Sequence, residues 1–178
     1  VQRYRDSALG MMACDLLYNF SNLLFGILYP HYRRTDCRPH TLVYTLASAK
    51  HLALAKLRRS KSRRTVEELL SSKSKYFVLP LQLDHDFQIV AYSPFGGMLE
   101  VMRAVLQSFA RCADPGAQLV IKVHPWDAGL VNWERAAVRL SREFSVADRP
   151  GFLDGGDLDV LSRHALGMVT VNSTAGLH

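Results

Sequence analysis

From Tyr76 onward, short runs of β-branched and aromatic residues alternate with segments of helical period. The runs that predict strands are 76–81, 118–123 and 167–171, and the segments that predict helices are 98–112, 131–144 and 158–164. This alternation is typical of βα units, which build a mainly parallel sheet covered by helices. The predicted fold class is therefore α/β with a Rossmann-like sheet. In such sheets, ligands bind beyond the carboxyl ends of the strands.

Two carboxylates follow the first predicted strand, in Asp84-His85-Asp86. Read as a D-x-D motif, they could hold a divalent ion against two phosphates. Alternatively, one of them could be a nucleophile that forms a covalent glycosyl intermediate. Asp after a strand also often caps a turn, so three interpretations stay open for this pair.

The ends of the other predicted strands are polar as well. Lys122-Val123-His124-Pro125 places a histidine where proline forces the chain out of the sheet, and imidazole there can contact a phosphate or act as an acid. Asn172-Ser173-Thr174 precedes a predicted helix and offers hydroxyls and backbone N–H groups to an anion, although Ser and Thr also commonly cap helices. Asp154-Gly155-Gly156-Asp157 predicts a glycine turn in which Asp157 caps the next helix.

The first part of the chain is basic. Residues 1–75 hold 14 basic and 5 acidic residues, whereas residues 76–178 hold 8 and 11. Residues 16–28 have an apolar stripe at helical spacing but are too few to span a bilayer, which takes ~20 apolar residues. A second helix is expected around 45–57, followed by a cationic segment, 56–64, which is interpreted as a solvated linker or as a contact for anionic lipid. We expect a helical basic segment over 1–75 and a donor-binding domain over 76–178.

Several functional classes lack support in the sequence. No phosphate-binding G-x-x-x-x-G-K-[ST] or G-x-G-x-x-G motif is present, and no nucleic-acid fold signature accompanies the basic segment. The three cysteines are far apart and form no C-x-x-C pair, which favours a reducing compartment. We therefore expect a cytoplasmic protein without a nucleic-acid partner.

Taken together, several blocks resemble the bacterial capsule polysaccharide biosynthesis/export family of the KpsS/LipB type. The blocks are LQLDHDFQI (81–89), SPF (93–95), IKVHPWDAG (121–129), DGGDL (154–158) and VTVNSTAGL (169–177). They occur in the order and at about the spacing of that family, and YPHYRR (29–34) is similar to the basic segment that precedes its domain.

The resemblance implies a GT-B-like, retaining β-Kdo glycosyltransferase that uses CMP-β-Kdo as donor and lysophosphatidylglycerol as lipid acceptor. It places the nucleophile at Asp86, with Asp84 as the alternative because His85 stands where relatives often have an acidic residue. It also implies a donor phosphate site at His124, Ser173 and Thr174, and we expect the strand-end residues Lys122 and Asn172 to contribute to it. Since a CMP-sugar has one phosphate, hydroxyls, N–H groups and a histidine suffice, and no metal or other cofactor is expected.

The resemblance also implies a cellular location and partners, and it leaves a second function open. It suggests a peripheral protein at the inner membrane, in contact with anionic lipid through the basic segment and with a capsule biosynthesis/export complex. We expect the donor-binding domain to continue beyond His178. The alternative function is a non-catalytic export or assembly protein that binds capsule polymer or lipid.

Overall fold

The structure is a computed structural model, and it describes residues 8–29, 31, 40–72, 74–84 and 86–173. The chain divides into two compact units. The first comprises the residues up to Lys56 together with Pro125–Val131, and the second comprises Leu57–His124 and the residues from Asn132 onward. The predicted domain boundary at residue 75 stays a prediction.

The first unit is built on two helices. Helix α1 spans Ala8–Leu24, a single 3-10 turn spans Gly26–Leu28, and helix α2, which begins at Thr41, ends at Ser71 within the second unit. The Tyr44 hydroxyl donates to Asp15 Oδ2 at 2.9 Å. The helix predicted over the apolar stripe is confirmed as far as Leu24, but much of the stripe is exposed, and Ile27 is 88% accessible. No helix within the described parts of the chain is long and apolar enough to cross a membrane.

The second unit contains a four-stranded sheet in the order β3-β2-β1-β4, with every pair parallel. Its strands are β1 (Tyr76–Pro80), β2 (Gln118–Lys122), β3 (Pro150–Leu153) and β4 (Gly167–Met168). Its further helices are α3 (Phe87–Tyr92), α4 (Met98–Cys112), α5 (Trp133–Glu143) and α6 (Leu158–His164). The α/β prediction and the parallel sheet are confirmed.

Helices cover both faces of this sheet because successive side chains of a strand point to opposite faces. Leu79, Leu119 and Ile121 lie in a core with residues of α4 and α5. Tyr76, Val78 and Val120 lie in a second core with residues of α2 and α6, which contribute Val66 and Leu161. The Tyr76 hydroxyl donates to the Leu161 carbonyl at 2.8 Å and ties α6 to β1.

The cationic segment is helical, because α2 continues through it to Ser71. Beyond it, Val66 is buried, and Leu69 and Leu70 pack beside the same core. The interpretation of 56–64 as a linker is therefore wrong. The apolar residues that follow the segment hold the end of the helix on the sheet, while basic side chains such as Arg63 and Arg64 stay in solvent.

Candidate functional site

The order of the strands fixes where a ligand crevice is expected. The chain passes from β1 to β2 and on to β3 in one direction, and then returns to place β4 on the other side of β1. The direction of winding thus reverses between β1 and β4. Open α/β sheets bind ligands at such a reversal, outside the carboxyl ends of the strands. The segments that leave these two strands there are 81–86 and 169–173.

Both candidate aspartates of the first segment accept hydrogen bonds at helix N-termini. Asp86 is half-buried, and its Oδ1 accepts from the Gln88 backbone N–H at 3.0 Å, which caps α3. Asp84 is exposed, and its Oδ1 accepts from the Met98 backbone N–H at 2.7 Å, at the start of α4. A carboxylate at a helix N-terminus is stabilised by the free N–H groups and by the helix dipole. The capping interpretation is therefore confirmed for Asp86, whereas Asp84 makes a long-range bond to the start of α4. One carboxylate oxygen of each residue is left for other contacts.

The segment after β4 lies against the end of α3. Asn172 Nδ2 donates to the Tyr92 carbonyl at 2.7 Å. Asn172 has a φ of 49°, which asparagine tolerates better than most residues. Ser173 follows it and is half-buried. Thr174 and the predicted helix after it lie outside the described residues.

Two predicted residues belong to the end of β2. His124 follows the last buried residues of the strand and is itself half-buried. Lys122 is only 6% exposed, and its ammonium lies 3.5 Å from the Val123 carbonyl oxygen. Burial lowers the pKa of Lys122, and the negative charges of Asp157 and Asp154 oppose this change. Because Lys122 shares a sheet face with Val120, it lies on the α2 and α6 side.

The glycine turn after β3 is packed against α2. Gly155 and Gly156 have positive φ, and a Cβ on Gly156 would lie 3.2 Å from Val66 Cγ2. Asp154 Oδ2 lies 2.5 Å from Arg58 Nη1 in an ion pair. Asp157 Oδ1 accepts from the Asp159 N–H at 2.9 Å and caps α6. The predicted structural role of this turn is confirmed.

Gln82 is a residue that the sequence analysis overlooked. It directly follows Leu81 at the end of β1 and is 8% exposed. Its Oε1 is enclosed and has no hydrogen-bond partner among the residues that the structure describes. A buried acceptor without a partner costs ~1–3 kcal/mol, so such a group needs a reason to be there. A single glutamine between apolar residues carries no sequence signal of this kind.

The predicted site residues therefore fall into two groups. Asp84, Asp86, Asn172 and Ser173 leave β1 and β4, the two strands on either side of the reversal, and His124 leaves the neighbouring strand β2. Lys122 lies instead with Asp154 and Asp157, the acidic residues that follow β3. A phosphate role for Lys122 stays a prediction. In the described part of the chain, no three His, Cys, Asp or Glu side chains are grouped as metal ligands would be.

The fold is therefore an α/β domain with a parallel sheet, and its polar rim lies where open α/β sheets bind ligands. The chain belongs to the capsule polysaccharide biosynthesis protein family, whose sequence model matches residues 1–178. It is 36% identical over 104 residues to the capsule polysaccharide modification protein LipB of Neisseria meningitidis serogroup A. It is 35% identical over 103 residues to the capsule polysaccharide export protein KpsS of Escherichia coli.

These similarities cover part of each protein. Each alignment takes in 58% of this chain, and the matched regions make up 25% of LipB and 26% of KpsS. The aligned part of the chain therefore spans about a quarter of the length of these relatives. No solved structure matches it.

Proposed function

We propose that this chain forms part of a GT-B-like retaining glycosyltransferase that moves Kdo from CMP-β-Kdo to a lysophosphatidylglycerol acceptor during capsule polysaccharide biosynthesis. The observation that supports it is the placement of carboxylates after β1 and of Asn172 and Ser173 after β4, on either side of the sheet's reversal. A carboxylate and a set of neutral phosphate-binding groups are the two elements that metal-free transfer from a CMP-sugar requires.

In the proposed reaction, the Asp86 carboxylate attacks the anomeric carbon of Kdo. The bond from that carbon to the phosphate oxygen breaks, and CMP leaves with the bonding electron pair. An acceptor hydroxyl then attacks the same carbon, the bond to Asp86 breaks, and the hydroxyl proton passes to a base or to water. Two inversions give net retention of configuration, as in retaining glycosidases.

The leaving phosphate is proposed to lie near His124 and the strand-end residues Asn172, Ser173 and Thr174. Imidazole and hydroxyl groups stabilise negative charge as it develops, and losing one such donor typically lowers turnover by 10²–10³-fold. We therefore expect about that loss for His124→Ala. A normal turnover number in this variant would remove His124 from the proposed site.

The setting proposed for this reaction is the cytoplasmic side of the inner membrane, within a capsule biosynthesis/export complex. The contact would be made by α2, on which Arg59, Lys61, Arg63 and Arg64 are all exposed. Each basic residue near an anionic bilayer contributes ~1 kcal/mol. Such a contact would hold the enzyme close to its lipid acceptor.

Nucleotide binding tests the donor site without requiring turnover. We would titrate the protein with CMP, UMP and ADP by calorimetry, and compare wild type with Ser173→Ala and His124→Ala. Preference for CMP that both variants weaken is the expected result. The matched control is Ser108→Ala, which changes an exposed serine on the outer side of α4 and should leave binding unchanged.

Covalent trapping then tests the chemistry. Incubation with CMP-β-Kdo in the absence of acceptor should add one Kdo residue to the protein, and peptide mass spectrometry should locate it on Asp86. Full turnover with no adduct on either Asp84 or Asp86, together with inversion in the product, would contradict the proposed nucleophile.

A second candidate is a non-catalytic assembly protein in which the same rim binds capsule polymer. It is favoured by one observation: both candidate carboxylates accept hydrogen bonds at helix N-termini, which gives each of them a structural role that needs no catalysis. CMP binding distinguishes the two functions, because a polymer-binding protein has no need of a nucleotide site.

A further inference from the structure

Helix α5 carries a stripe of three arginines on its outer face. Arg135, Arg139 and Arg142 are exposed, whereas Trp133 and Leu140 on the opposite side are buried. At 100° per residue the three arginines lie within about 60° of one another, and they extend over ~10 Å of helix. They are three of only eight basic residues in the net-acidic stretch 76–178.

The stripe lines a cavity of about 480 Å³. We call this cavity the arginine groove, and its described lining residues are Asn132, Arg135, Ala136, Val138, Arg139 and Arg142. Its volume is in the range that holds a small organic ligand. Because nearly all of these residues are exposed, the groove is open to solvent along the helix.

No acidic side chain that the structure describes forms an ion pair with these arginines. The two acidic residues of α5 are paired elsewhere, Glu134 with Lys61 and Glu143 with Arg103. Like charges three or four residues apart on a helix repel each other and destabilise it slightly. The three guanidinium groups thus repel one another without a described acidic partner, and an external anion would relieve this repulsion.

The groove begins on the side of the sheet where the strands have their carboxyl ends and where the candidate site lies. Since β2 and β3 are parallel, the helix that connects them runs antiparallel to both strands. Asn132 and Arg135, at the start of α5, are therefore at the carboxyl-end side of the sheet, and Arg142 is toward the opposite side. A linear ligand in the groove would extend away from the rim.

We propose that the arginine groove binds an acidic glycan chain that carries carboxylates along its length. Guanidinium groups bind carboxylates through paired, charge-assisted hydrogen bonds, and a row of them suits a chain with repeated charges. Val138, which is 44% exposed between the arginines, offers an apolar surface to the C–H faces of sugars. The chain's family works on capsule polysaccharide, so a glycan is the polymer available to it.

Two other polyanions fit the groove less well. None of its described lining residues is aromatic, so it offers no surface on which nucleic-acid bases could stack. Its described lining is one face of a single helix without large apolar anchors, whereas a helix that lies on a bilayer inserts such side chains. The glycan proposal does not depend on Kdo transfer, and binding can be measured without turnover.

The test uses the full chain and fluorescein-labelled oligosialic acid, in which every sugar carries a carboxylate. Fluorescence anisotropy should show binding that weakens with added salt, and labelled maltohexaose, which is neutral, should not bind. Replacing Arg135, Arg139 and Arg142 together by Gln should weaken binding at least about tenfold. This triple variant should stay folded, because the three side chains are exposed and form no ion pair with a described acidic residue.

A control of equal charge separates the groove from net charge. Replacing Lys75, Arg111 and Arg163, three exposed basic residues outside the groove and outside α2, by Gln removes the same three positive charges and should leave oligosialate binding within about twofold of wild type. Equal losses in the two triple variants, or no loss in the α5 variant, would overturn the proposal. So would anionic vesicles or single-stranded oligonucleotides that bind more tightly than oligosialate and lose binding in the α5 variant.

Discussion

Asp86 is expected to have two roles that different substitutions can separate. Its Oδ1 accepts the Gln88 N–H at 3.0 Å, and an asparagine at this position presents an equivalent oxygen. Asp86→Asn should therefore lose only the charge–dipole part of the cap, ~0.3–1 kcal/mol. Asp86→Ala loses the hydrogen bond as well, and caps replaced by alanine cost ~0.5–2 kcal/mol. Both variants lack the proposed nucleophile, so transfer should fall by ~10³-fold or more in each.

Two measurements on the same samples check this prediction. Urea unfolding gives the free energy of unfolding, and a transfer assay with CMP-β-Kdo gives the turnover number. The expected pattern is that Asp86→Asn is nearly as stable as wild type and as inactive as Asp86→Ala. Transfer by Asp86→Asn at more than about a tenth of the wild-type rate would refute the nucleophile, since no covalent catalyst keeps that rate without its nucleophile. Equal destabilisation by Asn and Ala would refute the capping role.

Asp84 supplies the matched control. Its Oδ1 accepts the Met98 N–H at 2.7 Å, so Asp84→Asn should keep the start of α4 intact and lower transfer far less than Asp86→Asn. The reverse ranking of the two asparagine variants would exchange the roles of the two carboxylates.

Three further predictions follow from burial and charge. Burial lowers the pKa of Lys122, so between this lowered pKa and the ordinary lysine value of ~10.4 the side chain is protonated in the unfolded state and neutral in the folded state. The free energy of unfolding should therefore rise with pH across that interval. Lys122→Met should remove the rise, as measured by urea titrations kept below pH ~10. Gln82→Met removes an enclosed acceptor without a partner among the described residues and should raise the free energy of unfolding by ~1–3 kcal/mol in urea titrations; a loss of stability would show that the amide is satisfied. Replacing Arg59, Arg63 and Arg64 by Gln should lower binding to phosphatidylglycerol vesicles in sedimentation assays at least tenfold, and unchanged binding would remove α2 as the membrane contact.

The periodicity of apolar residues was sufficient to predict the elements in which that periodicity is strong. Helix α4 begins and ends as predicted, at Met98 and Cys112, because its apolar residues recur at helical spacing. Strand β1 also begins at the predicted residue, Tyr76. Strand β3 was not predicted, because Pro150-Gly151 at its start signals a turn, and only pairing with β2 makes the segment extended.

The neighbours of the site residues could be predicted less well than their positions. Sequence order placed Asp86 and Asn172 on the rim, but it could not show that both lie at the two ends of α3, a six-residue helix that was not predicted. Lys122 has a basic side chain beside a candidate histidine, which suggests a phosphate ligand. Asp154 and Asp157 are its neighbours because β3 lies beside β2 in the sheet. The sequence alone does not show this strand order.

Capping and catalysis by Asp86 need not compete. The bond from the Gln88 N–H fixes Oδ1, and through it the plane of the carboxylate, while Oδ2 makes no hydrogen bond to the residues that the structure describes. A nucleophile is more effective when its own conformation is held by the scaffold, since misplacement by 1 Å can lower a rate 10²-fold. A helix cap fixes the conformation in this way, because it orients one carboxylate oxygen and leaves the other to react. The bond from the Gln88 N–H is therefore compatible with attack by Oδ2, and the covalent trapping experiment decides between capping alone and capping with catalysis.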